Sequence, residues 1–152
     1  MSESPRRARR ACSRVVAVSL LATLGLGTSA VSAWASSTGW YSGTQTVTGK
    51  AKFSGSYKWY SQGDHHGGFE VKGTLYDLNK SNGRGVKFQV KIEAYSPTVY
   101  KAATDQDRSI PDVVHYSGAQ TIVHYGYYQT CQVNTVTPDD CTSWTQRTNP
   151  YY

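Results

Sequence analysis

Asp64-His65-His66 is the tightest cluster of metal-binding side chains in this sequence. Two neutral imidazoles and a carboxylate are donors that suit zinc or copper. Neighbouring residues of a strand point to opposite faces, so both histidines could serve one ion only from a loop. The flanking Gly63, Gly67 and Gly68 predict a loop over residues 61–68, and a plain polar loop accounts for the same residues. No second donor cluster is bound by its spacing to meet the first, so ligation by Asp64, His65 and His66 is the weaker of the two readings. His115 and His124 would approach each other only if their strands paired about Gly118.

The carboxylates invite two further readings. Asp105-x-Asp107, with Asp112, supplies the oxygen donors that calcium takes, but it lacks the glycine and the distal glutamate of an EF-hand loop. A solvated acidic turn explains it better. Glu70 and Glu93 fall on the polar side of two alternating segments, where a carboxylate pair about 5–9.5 Å apart would suit glycoside hydrolysis. Lys72 is expected opposite Glu93, so a surface charge ladder is the simpler account. The chain contains neither G-x-S-x-G nor H-E-x-x-H, the signatures of a serine hydrolase elbow and of a zinc protease. These residues call for no cofactor, and they favour a binding protein over an enzyme.

The aromatic residues offer more. All 12 tyrosines lie beyond residue 35, together with Trp40, Trp59 and Trp144. Rings with polar tips on a rigid sheet suit stacking on sugars or anchoring a protein partner. Strand parity assigns Tyr57, Trp59, Tyr125 and Tyr127 to the core. It turns Tyr76, Tyr95 and Tyr128 outward, with Trp40 and Trp144 near the ends, and these five are the candidate ligand-binding residues.

The elements that must position these rings are strands. Phe69, Val71, Leu75 and then Val86, Phe88, Val90, Ile92 alternate with polar residues, and a period of two in aromatic and β-branched residues marks half-buried strands. Asn82-Gly83 between them is a strong hairpin signal. A two-residue turn there would set Leu75 against Val90 and Lys72 against Glu93. Gln45–Phe53 alternates as well, with a join or kink expected at Ser54-Gly55 before Tyr57 and Trp59. Thr98–Lys101 reads as a short edge strand, residues 102–112 as a connection, and Thr121–Val133 and Cys141–Arg147 as late strands. About seven or eight strands with no room for a crossover helix predict an all-β antiparallel sandwich, with a small closed barrel as the alternative.

The first 35 residues are of another kind. Arg6, Arg7, Arg9, Arg10 and Arg14 precede an apolar run from Val15 to Leu26, and small residues lead to Ala33-Trp34-Ala35. That is the layout of a secretory signal peptide helix, and the run falls short of the roughly 20 residues that span a membrane. Cleavage is expected after Ala35, with Ala33 as second choice, leaving residues 36–152 as one domain, secreted and extracellular. Cys12 precedes the apolar run, where it cannot act as a lipid anchor. The full chain carries +6, but residues 36–152 have 11 basic and 9 acidic residues, or +2. That leaves little electrostatic footprint for nucleic acid or an anionic membrane. Cys131 and Cys141 are the only cysteines of that segment. In an exported chain they should be joined, and closing about ten residues stabilises by roughly 2.5–3 kcal/mol in the chain-entropy model.

Val71-x-Gly73-x-Leu75-x-Asp77, then Gly83-x-Gly85-Val86-x-Phe88-x-Val90, then Cys131 and Cys141 with Trp144 after them form a pattern similar to small exported β-sandwich proteins of actinobacteria. The resemblance implies a fold and a compartment, and no mechanism. The expectation is therefore a secreted, non-enzymatic binding protein, with cell-wall or environmental polysaccharide as its partner. The alternatives are an inhibitor of a secreted hydrolase that presents the disulfide-clamped loop 132–140, and a small metal-dependent enzyme using His65 and His66.

Overall fold

Alternation of apolar and polar side chains becomes strands almost wherever it occurs. The computed structural model describes residues 37–119 and 122–152. The expected signal peptide and its cleavage site lie outside the described residues. Within them run β1 (Tyr41–Val47), β2 (Ala51–Trp59), β3 (Phe69–Asp77), β4 (Val86–Ile92), β5 (Thr98–Ala102), β6 (Arg108–His115), β7 (Tyr125–Gln132), β8 (Asp140–Cys141) and β9 (Thr145–Thr148). One antiparallel sheet has the order β1-β2-β3-β6, and the second has β5-β4-β7-β8, with β9 also paired to β7. The two sheets stack as a sandwich and do not close into a barrel.

The core forms where the dry faces meet. Phe53, Phe69, Val71 and Leu75 of the first sheet and Val86, Phe88, Val90 and Tyr128 of the second are at most 2% exposed. Phe53 and Phe88 stack across the interface with centroids 4.1 Å apart. Full burial of each such side chain stabilises by roughly 1.5–3 kcal/mol.

The expected hairpin does not form: β3 and β4 belong to different sheets. Phe53 and not Val90 faces Leu75, and Ser56 and not Glu93 faces Lys72, so the charge ladder between Lys72 and Glu93 is absent too. A two-residue type I′ turn needs positive φ at both central residues. Only Gly83 has it, at 68°, and it closes a 3-10 turn over Lys80–Asn82. Asp77 Oδ1 accepts from Asn79 N at 2.9 Å and Asn82 Oδ1 from Arg84 N at 2.8 Å, holding an arch that carries the chain from sheet to sheet. The physical reason is packing. A hairpin would leave both dry faces on one side of one sheet, whereas the arch sets them against each other.

The parity of β7 is also opposite to expectation. Tyr128 pairs with Val90, and directly opposed residues share a face, so Tyr128 lies in the core and is fully buried. Tyr125 and Tyr127 are half-buried on the other side. Both faces of this segment carry apolar side chains, so polarity alone could not orient it. Ser54-Gly55 lies inside an unbroken β2, while the β1–β2 turn is at residues 48–50 with Gly49 at φ 66°. Strand β6 begins at Arg108, inside the expected 102–112 connection.

Candidate functional site

One edge of the sandwich, where β1 lies against β7 and β9, carries a groove. Gln45 of β1 fixes that edge. Its Nε2 reaches the Tyr128 carbonyl at 3.1 Å and Thr145 Oγ1 at 2.7 Å, and its Oε1 accepts from Thr130 at 3.0 Å. The alternation of β1 and β2 then presents Tyr41 beside Tyr57, stacked at 5.3 Å. A cavity of about 330 Å³ opens here, lined by Tyr41, Tyr57, Trp59, Gln146, Arg147, Thr148 and Pro150.

A second, larger cavity of about 550 Å³ adjoins it through Pro150 and is lined by Ser61, Gln62, Gly63, Tyr151 and Tyr152. Asn149 sets its wall. Fully buried, it donates from Nδ2 to the Gly67 and Val123 carbonyls at 3.1 and 2.8 Å, and its Oδ1 accepts from Tyr151 N at 2.9 Å. Gly67 has φ 72°, and a Cβ there would come within 2.9 Å of the Asn149 amide. The loop and the segment after β9 are thus locked together, and Tyr151 and Tyr152 are held in the wall of the second cavity.

Arg147 is the one charged side chain among the residues lining the two cavities. Its guanidinium lies 5.1 Å from the Tyr57 ring centre, and it donates from Nη2 to the Tyr128 hydroxyl at 3.2 Å. Its Nε is buried without a partner, and so is Nε1 of Trp59, whose side chain belongs to the core. Burial pushes the Tyr57 phenol above its ordinary pKa, with Arg147 opposing.

The residues expected to bind ligand are scattered. Trp40 is exposed over the outer face of the first sheet, with Lys72 Nζ 4.0 Å and Lys58 Nζ 4.7 Å from its ring centre. Tyr76 shares that sheet, opposite Lys52. Trp144 belongs to the second sheet's outer side, 4.8 Å from Lys91 Nζ, which also covers Tyr127. Tyr95 bonds Ser117 through its hydroxyl and lines a small cavity of about 210 Å³ with His115. Tyr128 is core and offers no stacking surface. The core assignment holds for Trp59, which is 1% exposed against Phe69. The groove residues that sequence reasoning passed over are Tyr57, which packs on the core yet also lines the cavity, and Arg147, read only as the end of a strand.

Asp64 and His65 approach to 3.5 Å, but His65 and His66 turn to Tyr116, and His65 packs edge-on to Tyr60. Both histidines adopt positive φ, 49° and 52°. Among the described residues, no three His, Cys, Asp or Glu side chains gather closely enough to hold an ion. The acids 105, 107 and 112 are likewise divided. The Asp105 and Asp107 segment is tied to Asp77, whereas Asp112 pairs with Lys72 at 3.4 Å. Glu70 lies on β3 and Glu93 in the turn just past β4, with Glu70 paired to Lys58 at 2.9 Å and Glu93 3.6 Å from His124. His115 and His124 do not meet across a strand pair, because β6 pairs with β3 and β7 with β4. His124 stacks instead on Tyr152.

Compared with known proteins, the chain matches no protein family, no curated protein and no solved structure.

Proposed function

We propose that this is a secreted, non-enzymatic binding protein that holds a polysaccharide chain in the edge groove. The observation that carries the proposal is the pair of cavities that share Pro150 in their linings and carry Tyr41, Tyr57, Tyr151 and Tyr152 in their walls. Sugar rings pair apolar C–H faces with hydroxyl edges, and tyrosine and tryptophan match both. Two adjoining cavities suit an extended chain better than a single small molecule. Among the described residues lining them, Arg147 is the one charged side chain.

Co-sedimentation with insoluble peptidoglycan, chitin and cellulose tests the proposal. The protein should deplete onto one polymer, soluble fragments of that polymer should release it, and Tyr151→Ala should weaken it. No depletion onto any polymer, or depletion that Tyr151→Ala and Tyr41→Ala leave unchanged, removes the groove from consideration.

The clamped loop favours a second reading, an inhibitor of a secreted hydrolase. Cys131 and Cys141 are bonded and bracket the loop. Asn134 N donates to Asp139 Oδ1 at 2.9 Å, and Asn134 Nδ2 donates to the Pro138 carbonyl at 2.8 Å. At its tip Val136 is 93% exposed. An apolar side chain on a preorganised loop fits a hydrolase cleft at little entropic cost. A panel of secreted proteases assayed with and without the protein separates the two readings.

A further inference from the structure

We infer that Arg147 makes the groove selective for an acidic polysaccharide, its guanidinium taking the carboxylate of a uronic-acid-type residue while the flanking rings take the sugar. This rests on the groove being the binding site. Three observations at Arg147 carry it.

First, the guanidinium is half-buried and, among the described residues, pairs with no carboxylate. Withdrawing a charge from water without a counter-charge is costly, so the protein keeps a cation here that nothing in its own walls neutralises. Second, the contacts that hold it leave its recognition edge uncommitted. Tyr57 lies against it and the Tyr128 hydroxyl accepts from Nη2, while Nε is buried with no acceptor. A guanidinium has five donors in a planar fork that matches a planar carboxylate. An unsatisfied buried donor is expensive, and an incoming oxygen would relieve it. Third, the 45% exposed Tyr41 stacks on Tyr57 at 5.3 Å, so an accessible ring adjoins the guanidinium. A cation without a counter-charge beside accessible aromatic rings describes a site that wants an anionic, ring-shaped ligand. As Arg147 is the sole charged side chain lining the groove, no side-chain carboxylate of the walls competes for it.

Affinity electrophoresis of the full chain through gels containing polygalacturonate, its carboxyl-reduced neutral form, or no polymer reads this directly. Polygalacturonate should retard the protein at least about tenfold more strongly than the reduced polymer, in keeping with a charged hydrogen bond, and added salt should erode the difference. Arg147→Gln should abolish the preference. Tyr41→Ala, at an exposed rim position, should weaken retardation while keeping the preference, because it removes only stacking surface. Equal retardation by the acidic and the reduced polymer overturns the inference and leaves the groove reading standing. No retardation by either, with cellulose, chitin and peptidoglycan also unbound, overturns both. If Arg147→Gln does not fold, Arg147→Lys decides: it keeps the charge but not the planar fork, so the preference should drop, and an unchanged preference overturns the inference.

Discussion

Gly55 and Gly73 face each other across β2 and β3, and the Phe53 ring lies over both. A Cβ on Gly55 would stand 2.0 Å from the Lys72 carbonyl and 2.6 Å from the Phe53 ring. One on Gly73, at φ 156°, would stand 2.4 Å from the Ser54 carbonyl. The neighbours of Gly55 are backbone and a packed aromatic ring, so neither yields cheaply. Gly55→Ala is expected to destabilise by about 3 kcal/mol, at the upper end of the usual cost of overpacking. Urea unfolding of the variant beside the parent checks it, and a change below about 1 kcal/mol would show that Phe53 repacks freely.

Glu70 is 4% exposed and serves two partners, Lys58 at 2.9 Å and the Tyr60 hydroxyl at 2.7 Å. Its removal strands a largely covered ammonium and a phenol together. Glu70→Ala should cost about 3 kcal/mol, the order found when one partner of a buried ion pair is deleted. The Tyr60 hydroxyl and then Glu70 hold the Lys58 pKa above its ordinary 10.5, against burial. The stability from that shift is therefore fully present below pH 10.5 and is lost as the pH rises through the folded value. Thermal melts at pH 7 and pH 11 should show the parent losing more on alkalinisation than Glu70→Ala.

His115 provides the opposite pH signature. Its Nε2 is buried without a partner, and burial lowers its pKa from 6.5 to about 4. Above pH 6.5 it is neutral in folded and unfolded chains alike and contributes no pH dependence. Between pH 6.5 and 4 the unfolded chain takes the proton first, so stability falls with pH, by at most about 3 kcal/mol for a shift of this size. Asp139 and Asp140, held low chiefly by Lys87 and Lys50 respectively, lose their contribution only below about pH 4, outside this window. Subtracting the unfolding free energies of His115→Phe from those of the parent, pH by pH, should isolate the slope. A difference that stays constant from pH 7 to pH 4 would show that His115 titrates normally.

These residues also show what the sequence made legible. Alternation in Phe69–Leu75 and Val86–Ile92 correctly identified the buried side of both segments and hence a layered all-β fold. Alternation carries no information about which strands pair, because side-chain parity is the same in a hairpin and in an arch between sheets. Asn82-Gly83 fits both, since one left-handed glycine ends a 3-10 turn as readily as it begins a two-residue hairpin. Gly55 suggested a break for a similar reason, though its role is to admit the Phe53 ring. The groove was harder still to foresee. Tyr41, Tyr57 and Arg147 are separated by up to 106 positions in the chain, and only the stacking of the two sheets brings β1 and β2 beside β9. Arg147 was visible as a lone cation, but nothing local marked it as unpaired.

The loop bracketed by Cys131 and Cys141 separates the structural role of the disulfide from any role in recognition. Its bonds also run outward, Lys87 to Asp139 at 2.5 Å and Arg84 to Asn134 at 2.8 Å, so the loop is anchored to strand β4 and to the arch as well as to its own ends. Reduction frees the ten-residue closure and should lower stability by about 2.5–3 kcal/mol, readable as a drop in urea midpoint with dithiothreitol present. Val136→Asp touches none of these anchors, because the side chain is 93% exposed, and should change the midpoint by less than about 0.5 kcal/mol. If the loop inhibits a hydrolase, Val136→Asp should nevertheless abolish inhibition, as an apolar contact becomes a buried charge. If the edge groove is the working surface, polysaccharide binding should survive Val136→Asp intact, and it should weaken on reduction only as the fold itself is lost.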